Sequence, residues 1–172
     1  TIPFVLSKEE IHSLINHTDN PKHKLLIKML YSSGLRVSEC LKLRFKDIDK
    51  RIVFVKSGKG NKDRISIITN LSNEINALFS ENPEDYIFLG KKGHLTVRSA
   101  QMILKKAAKK ANIIKNVYPH CLRASFATHL IDQGEHLGDI KELLGHSNIR
   151  TTYGYIRPNP LRISNIQSPL HT

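Results

Sequence analysis

The sequence has few of the features that mark disulfide-bonded, zinc-binding or membrane proteins. Its 172 residues include two cysteines, Cys40 and Cys121, which form neither a CxxC pair nor a zinc-ligand spacing. There is no HExxH motif and no closely spaced cluster of histidine and cysteine. No apolar run reaches the roughly 18 residues that a membrane span needs, and no signal-peptide pattern is present. We therefore expect a reducing, cytoplasmic setting, with no metal, no cofactor and no membrane partner.

Acidic residues are also scarce relative to basic ones. The chain has 15 aspartates and glutamates against 27 lysines and arginines, which gives a net charge of +12 and a pI of about 9.8. Such an excess attracts polyanions, so nucleic acid is the first candidate partner, and a merely basic, well-solvated surface is the alternative. The length and the hydrophobic fraction of 40% suit one folded domain.

Helical patterns dominate the first forty residues. Residues 7–10 have the sequence of a capping box, which predicts a short helix directly after it. A second helix is expected from Pro21 to about Gly34, because proline favours the first helical turn and glycine the position after the last. A third helix follows at once, with Val37 on its buried face. Arg36 is therefore predicted to lie at the junction between two helices.

The middle of the chain combines strand and helix patterns. Residues 52–55 and 65–68 alternate with a period of two around a basic, glycine-containing stretch, which predicts a β-hairpin. Residues 86–89 are predicted to form a third strand. Further helices are expected over residues 71–79, 96–110, 120–132 and 136–144. The predicted fold is mainly α with a small antiparallel β-sheet, an α+β arrangement.

A set of cationic and hydroxyl side chains could carry out phosphodiester chemistry. Breaking a DNA phosphodiester requires guanidinium groups to grip the phosphate, an attacking oxygen, and a proton donor for the departing sugar oxygen. The chain supplies candidates for each role without a metal: Arg36, Lys59, His120, Arg123, His146 and a tyrosine at 153 or 155. Each type has an ordinary explanation on its own, since arginines and histidines cap helices, hairpin lysines are solvated, and tyrosines pack on apolar surfaces.

The order and spacing of these residues make the separate signals specific. Five blocks follow one another: GLRVSE at 34–39, GKGNKDR at 58–64, HCLR at 120–123, LGHS at 144–147, and the Thr151-Thr152 pair with Tyr155. They resemble the catalytic domain of tyrosine recombinases over about residues 4–155. The resemblance is closest to the Xer-type branch, through the GKGNK and LGHS blocks, and integrases of phages and other mobile elements share most of these motifs.

The resemblance implies a role for each catalytic position around the scissile phosphate. Arg36 and Arg123 would clamp its nonbridging oxygens, and His146 would donate a hydrogen bond to it. His120 would assist proton transfer near the nucleophile. Glu39, three residues after the first arginine, would support and orient the site.

The resemblance also selects one lysine and one tyrosine from two neighbouring pairs. Lys59 matches the family's lysine after the first glycine of the hairpin, so Lys59, rather than Lys62, would protonate the leaving 5′ oxygen. Tyr155 lies nine residues after His146, which is the family's spacing for the nucleophile. Tyr153 would lie about 200° away around a helix and could not take the same place. Tyr155 would attack phosphorus and leave a 3′-phosphotyrosyl link and a free 5′ hydroxyl.

Other basic residues suggest where DNA would lie. The residues predicted to contact it, on the hairpin and on the basic helix 96–110, are Lys62, Arg64, Lys105, Lys106 and Lys109. The implied partners are double-stranded DNA and further copies of the chain, which would form a homo-oligomer on DNA with a tetramer in the synapse.

The chain is predicted to contain a catalytic domain over residues 1–157 and a C-terminal tail over residues 158–172. The sequence begins with Thr1 rather than methionine, and we expect the amino-terminal core-binding domain that such recombinases carry to be missing. The tail could dock on a neighbouring protomer or pack on its own domain. The apolar residues that suit either arrangement are Leu161, Ile163, Ile166 and Leu170.

The predicted function is site-specific DNA recombination, similar to Xer-type chromosome dimer resolution. The alternatives are a mobile-element or viral integrase with the same chemistry, a catalytically silent DNA-binding module, and a type IB topoisomerase-like enzyme. The silent module is disfavoured because every catalytic position is filled, and the topoisomerase because of the Xer-like blocks. Without DNA, Tyr155 is expected to lie away from Arg36 and Arg123, because Pro158 and the tail follow it closely.

Overall fold

The computed structural model describes residues 4–56, 63–145 and 165–170. Within these ranges it contains seven α-helices: α1 (Lys8–Asn16), α2 (Pro21–Ser33), α3 (Val37–Leu41), α4 (Ser72–Leu78), α5 (Val97–Lys110), α6 (Pro119–Asp132) and α7 (Leu137–Leu144). The described strands are short: β1 (Ile48–Asp49), β2 (Ile52–Val55), β3 (Arg64–Ile67), β4 (Leu89–Gly90) and β5 (Gly93–His94). The predicted class, mainly α with a small antiparallel β-sheet, is confirmed. None of the helices in the described ranges has the length and apolar character needed to cross a membrane.

The first two helices begin and end where the sequence predicts. Ser7 Oγ accepts the Glu10 amide at 3.0 Å, and Glu10 Oε1 accepts the Ser7 amide at 3.0 Å, which completes the capping box of α1. α2 begins with Pro21 in its first turn and ends at Gly34, whose φ of 65° is left-handed. A Cβ at Gly34 would lie 2.3 Å from the ring of Phe126, so this glycine also lets α6 approach α2 closely.

The predicted β-hairpin is present. β2 pairs antiparallel with β3, with Ile52 opposite Ile67 and Val55 opposite Arg64. β1 pairs antiparallel with the other side of β2, so the sheet has the order β1-β2-β3. The hairpin tip at residues 57–62, which holds both candidate lysines, lies outside the described residues.

The prediction of a third strand at residues 86–89 was wrong. Tyr86 makes an isolated bridge with Arg44, and β4 pairs with β5 in a separate two-stranded sheet. Ile87 and Phe88 are both buried, whereas a strand with one exposed face buries alternate residues. The third strand of the main sheet is β1, which the sequence does not indicate because two residues are too few for a periodic pattern.

α2 forms the centre of the core. It contacts α1, α3, α4, α5 and α6, and from Leu25 to its end every residue except Lys28 is buried. Its hydrophobic side chains that are at most 1% exposed are Leu25, Leu26, Ile27, Met29, Leu30 and Tyr31. The packing of α6 on α2 brings the segment that follows α2 next to Arg123, which lies in α6.

Residues 165–170 pack on the domain that precedes them. Ile166 and Leu170 are buried in the hydrophobic core, and Ser168 Oγ donates a hydrogen bond to the Ser32 carbonyl at 2.8 Å. Of the two arrangements expected for the tail, this part of it adopts packing on its own domain. The other two apolar tail residues lie outside the described ranges.

Candidate active site

Arg36 lies at the turn between α2 and α3, as predicted. It is the N-cap residue of α3, and its backbone amide donates to Glu39 Oε1 at 2.9 Å. Its Nη1 lies 3.8 Å from Glu39 Oε2, while 45% of its side chain remains exposed. Glu39 therefore orients the start of α3 and leaves a large part of the Arg36 side chain accessible to a ligand.

Arg123 is buried, with 6% exposure, and joins the ends of two helices. Its Nη1 donates to the Gly34 carbonyl at 2.7 Å, and its Nη2 donates to the Leu144 carbonyl at 2.7 Å. These carbonyls lie at the C-termini of α2 and α7, where backbone oxygens lack helical partners and cations are favoured by the helix dipole. The same guanidinium that the sequence predicts to grip phosphate therefore also holds α2, α6 and α7 together.

Arg64 points inward rather than towards solvent. Its Nη1 and Nη2 donate to the two carboxylate oxygens of Glu39, with Nη2 to Oε1 at 3.1 Å, and its Nε donates to the Leu143 carbonyl at 3.0 Å. The Arg64 side chain is 9% exposed and that of Glu39 is 10% exposed. This placement differs from the surface DNA contact predicted for Arg64, because the guanidinium is already committed to protein acceptors.

The electrostatics of this cluster favour an anionic ligand. Burial, followed by the positive charges of Arg36 and Arg64, lowers the pKa of Arg123 to about 10. Burial alone would raise the pKa of Glu39, but the hydrogen bonds and charge of Arg64, with the Arg36 amide, hold it below its ordinary value. Two arginines thus contact one ionised carboxylate and a third lies near enough to feel its charge, and the excess positive charge suits a phosphate that gains negative charge during cleavage.

His120 lies in the first turn of α6, directly after Pro119 and three residues before Arg123. It is exposed, while the neighbouring Pro119 and Cys121 are buried and fix the start of the helix. Because Arg123 is held rigidly on the same helix, the fold fixes the spacing between the Cα atoms of the histidine and the arginine.

The structure describes only some of the other predicted site residues. Lys59, Lys62, His146 and Tyr155 lie outside the described residues, so the predicted position of Tyr155 without DNA stays a prediction. In the described ranges, no three side chains of His, Cys, Asp or Glu are grouped closely enough to hold a metal ion. The lysines of the predicted DNA surface that are described, all exposed on α5, are Lys105, Lys106 and Lys109.

Comparison with known proteins identifies the arrangement. The phage integrase family matches residues 5–162. The chain belongs to the phage integrase family. It is 37% identical over 166 residues to the tyrosine recombinase XerA of Pyrococcus horikoshii, covering 91% of this chain and 58% of that protein. The predicted resemblance to tyrosine recombinases is therefore confirmed.

Solved structures agree with this assignment. The crystal structure of XerA recombinase matches with a TM-score of 0.77 at 30% identity, over 94% of this chain and 64% of that one. The post-cleavage complex of XerH site-specific recombinase bound to a palindromic difH substrate matches with a TM-score of 0.72 at 25% identity, over 88% of this chain and 48% of that one. This integrase-family chain has the catalytic-domain fold of tyrosine recombinases, and it spans about three-fifths of the length of the curated relatives it matches.

Proposed function

We propose that this chain is the catalytic part of an Xer-type site-specific recombinase, which cuts and rejoins DNA strands through a 3′-phosphotyrosyl intermediate. The observation that carries the proposal is that Arg36 and Arg123, from distant parts of the sequence, meet at the C-terminus of α2: Arg123 donates to the Gly34 carbonyl, and Arg36 lies two residues later beside Glu39. Two guanidinium groups so placed can meet the nonbridging oxygens of one phosphate.

The proposed reaction proceeds in two balanced steps. The Tyr155 oxygen attacks phosphorus, the bond from phosphorus to the 5′ oxygen breaks, and the tyrosine remains linked to the 3′ phosphate. His120 assists removal of the tyrosine proton, and Lys59 gives a proton to the departing 5′ oxygen. The 5′ hydroxyl of a second strand then attacks the phosphotyrosyl bond and releases Tyr155, so the energy of the original ester is kept without ATP.

The cationic groups lower the barrier because negative charge develops on the phosphate oxygens as the tyrosine attacks. Arg36 and Arg123, with a hydrogen bond from His146, stabilise this charge. Arg123 is already oriented by its two carbonyl acceptors, so little reorganisation accompanies the reaction. We propose that Glu39 keeps Arg36 at the edge of the site through its contact with the Arg36 amide.

Double-stranded DNA is the proposed partner. The net charge of +12 and the exposed lysines of α5 support this, as does the similarity to XerH solved with a difH substrate. We propose that residues 1–157 act as the catalytic domain, that an amino-terminal core-binding domain completes the clamp around DNA, and that four copies assemble in the synapse. Chromosome dimer resolution is preferred to mobile-element integration because the similar curated proteins include recombinases named XerA, XerC and XerD.

Covalent capture on DNA tests the proposed function. The full-length protein is incubated with sheared genomic DNA from its source organism, covalent complexes are recovered under denaturing conditions, and the attached ends are sequenced. A nicked suicide duplex that carries the recovered site then measures cleavage. We expect wild type to form the complex and Tyr155→Phe to form none. If wild type forms no complex on either DNA, or Tyr155→Phe behaves identically, the proposal is wrong.

A further inference from the structure

Arg64 connects three segments that bear candidate catalytic residues. It is the first residue of β3, so it lies at the base of the hairpin whose tip holds Lys59. Its guanidinium grips both oxygens of Glu39, and Glu39 accepts the backbone amide of Arg36. Its Nε donates to the Leu143 carbonyl near the end of α7, and His146 follows α7 in the sequence.

The geometry does not suit Arg64 as a DNA contact. A phosphate contact requires guanidinium nitrogens whose N–H groups are free to face the phosphate. Arg64 Nε, Nη1 and Nη2 all donate to protein acceptors. A guanidinium used bidentately on a carboxylate fixes both the distance and the plane of its partner.

Gly145 provides independent support for the same arrangement. A Cβ at Gly145 would lie 2.8 Å from Arg64 Nε and 2.9 Å from its Cδ and Cζ. The backbone angle φ of Gly145 is 70°, a value that residues with a Cβ rarely adopt. Gly145 therefore leaves open the space that the Arg64 guanidinium occupies, and the position of Arg64 and the conformation of Gly145 at the end of α7 depend on each other.

We propose that Arg64 is a positioning residue for DNA cleavage, which aligns Arg36 through Glu39 with the end of α7 and the base of the hairpin. This inference rests on the proposed function. Arg64 acts before DNA arrives, by holding these segments at fixed separations, and it makes no contact with the reacting phosphate. Misplacement of a catalytic group by about 1 Å can cost about 100-fold in rate, so the effect should appear in the chemical step.

The experiment separates DNA binding from cleavage in Arg64→Gln. Single-turnover cleavage of the suicide duplex is measured at saturating DNA, and the dissociation constant is measured over a series of salt concentrations with uncleavable DNA. We expect cleavage to fall by about 10- to 100-fold, with the dissociation constant and its salt dependence nearly unchanged. Lys105→Gln is the comparison for a lost phosphate contact, with the slope of log affinity against log salt reduced by about 0.9.

Two further variants distinguish positioning from loss of stability. Leu14→Ala creates a cavity at a fully buried position of α1 and serves as a control matched for melting temperature. Arg64→Ala is assayed with and without millimolar guanidinium, with sodium chloride at the same ionic strength as the control. We expect guanidinium, which can donate to both oxygens of Glu39, to restore part of the cleavage rate, and sodium to restore none.

Four results would overturn the inference. A reduced salt slope with unchanged saturating cleavage in Arg64→Gln would make Arg64 a phosphate contact. A loss of cleavage no greater than that of Leu14→Ala, without rescue by guanidinium, would make its role purely structural. If wild type itself forms no covalent complex, the proposed function fails and this inference fails with it, whereas cleavage by wild type with an unaffected Arg64→Gln refutes the inference alone.

Discussion

Replacing Arg64 with methionine should destabilise the protein more than most single substitutions. The change keeps much of the side-chain volume but leaves the Glu39 carboxylate, which is 10% exposed, without its bidentate partner. Removing one member of a buried ion pair costs about 3–5 kcal/mol. The lower end, about 3 kcal/mol, applies because the Arg36 amide still donates to Glu39. For a domain of this size, that corresponds to a melting temperature lower by about 6–12 °C.

The pH dependence of this loss gives a sharper test than its size. In the wild type the pKa of Glu39 lies below its ordinary value of 4.5, so its stabilising contribution is present above pH 4.5 and is lost as the pH falls through the folded value. In Arg64→Met, burial becomes the dominant influence and raises that pKa. The penalty of the unpaired carboxylate is then present at neutral pH and is relieved as the pH falls and Glu39 takes up a proton.

Thermal unfolding at about pH 7 and about pH 5 checks this reasoning. The difference in melting temperature between wild type and Arg64→Met should shrink at the lower pH. The double variant Glu39→Gln with Arg64→Met removes both charges, so it should be more stable at neutral pH than Arg64→Met alone. The reasoning is refuted if Arg64→Met melts within about 2 °C of wild type at neutral pH, or if the difference grows on acidification.

The other predictions concern the remaining helix ends and the buried histidine. Arg123→Lys should lose both stability and DNA cleavage, because one ammonium cannot reproduce the fork that donates to two helix termini. Arg36→Lys should lose cleavage but keep a melting temperature near that of wild type. Equal melting temperatures for the two variants would contradict this. Gly145→Ala should lower the melting temperature and slow cleavage, since its Cβ would displace Arg64; crystallography of the variant with Arg64 unmoved would contradict it. Burial, followed by the charge of Lys8, lowers the pKa of His129, so wild-type stability should fall as the pH drops below 6.5, and urea unfolding of His129→Gln should show a flatter profile.

Local rules were sufficient for the elements whose ends carry their own signals. The capping box of α1, Pro21 at the start of α2 and Gly34 at its end each act through neighbouring backbone groups, so the sequence alone identifies them. The resemblance to recombinases then indicated Arg36 and Arg123 as members of one site. The strand predicted at residues 86–89 failed because its burial is decided by the segments packed around it, which a local period cannot describe.

The direction of Arg64 could not be predicted for the same reason. Lys56, Lys59 and Lys62 precede it in the sequence, and net charge favours a surface role for all of them. Its inward placement depends on Glu39, 25 residues earlier, and on the Leu143 carbonyl, 79 residues later. The one local signal was its place at the start of a strand whose later residues are buried, and that signal does not identify a partner.

The two arginines proposed to bind the scissile phosphate differ in what they require of the fold. A guanidinium has five N–H donors. Arg123 uses at least two of them to hold the ends of α2 and α7, and its remaining donors are fixed in direction before any phosphate arrives. Arg36 is 45% exposed, so its precision must come from its neighbours, through Glu39 and in turn Arg64. A half-exposed arginine that must act within about 1 Å of a required position needs such a chain of support, and this is a physical reason for a buried ion pair beside the proposed phosphate site.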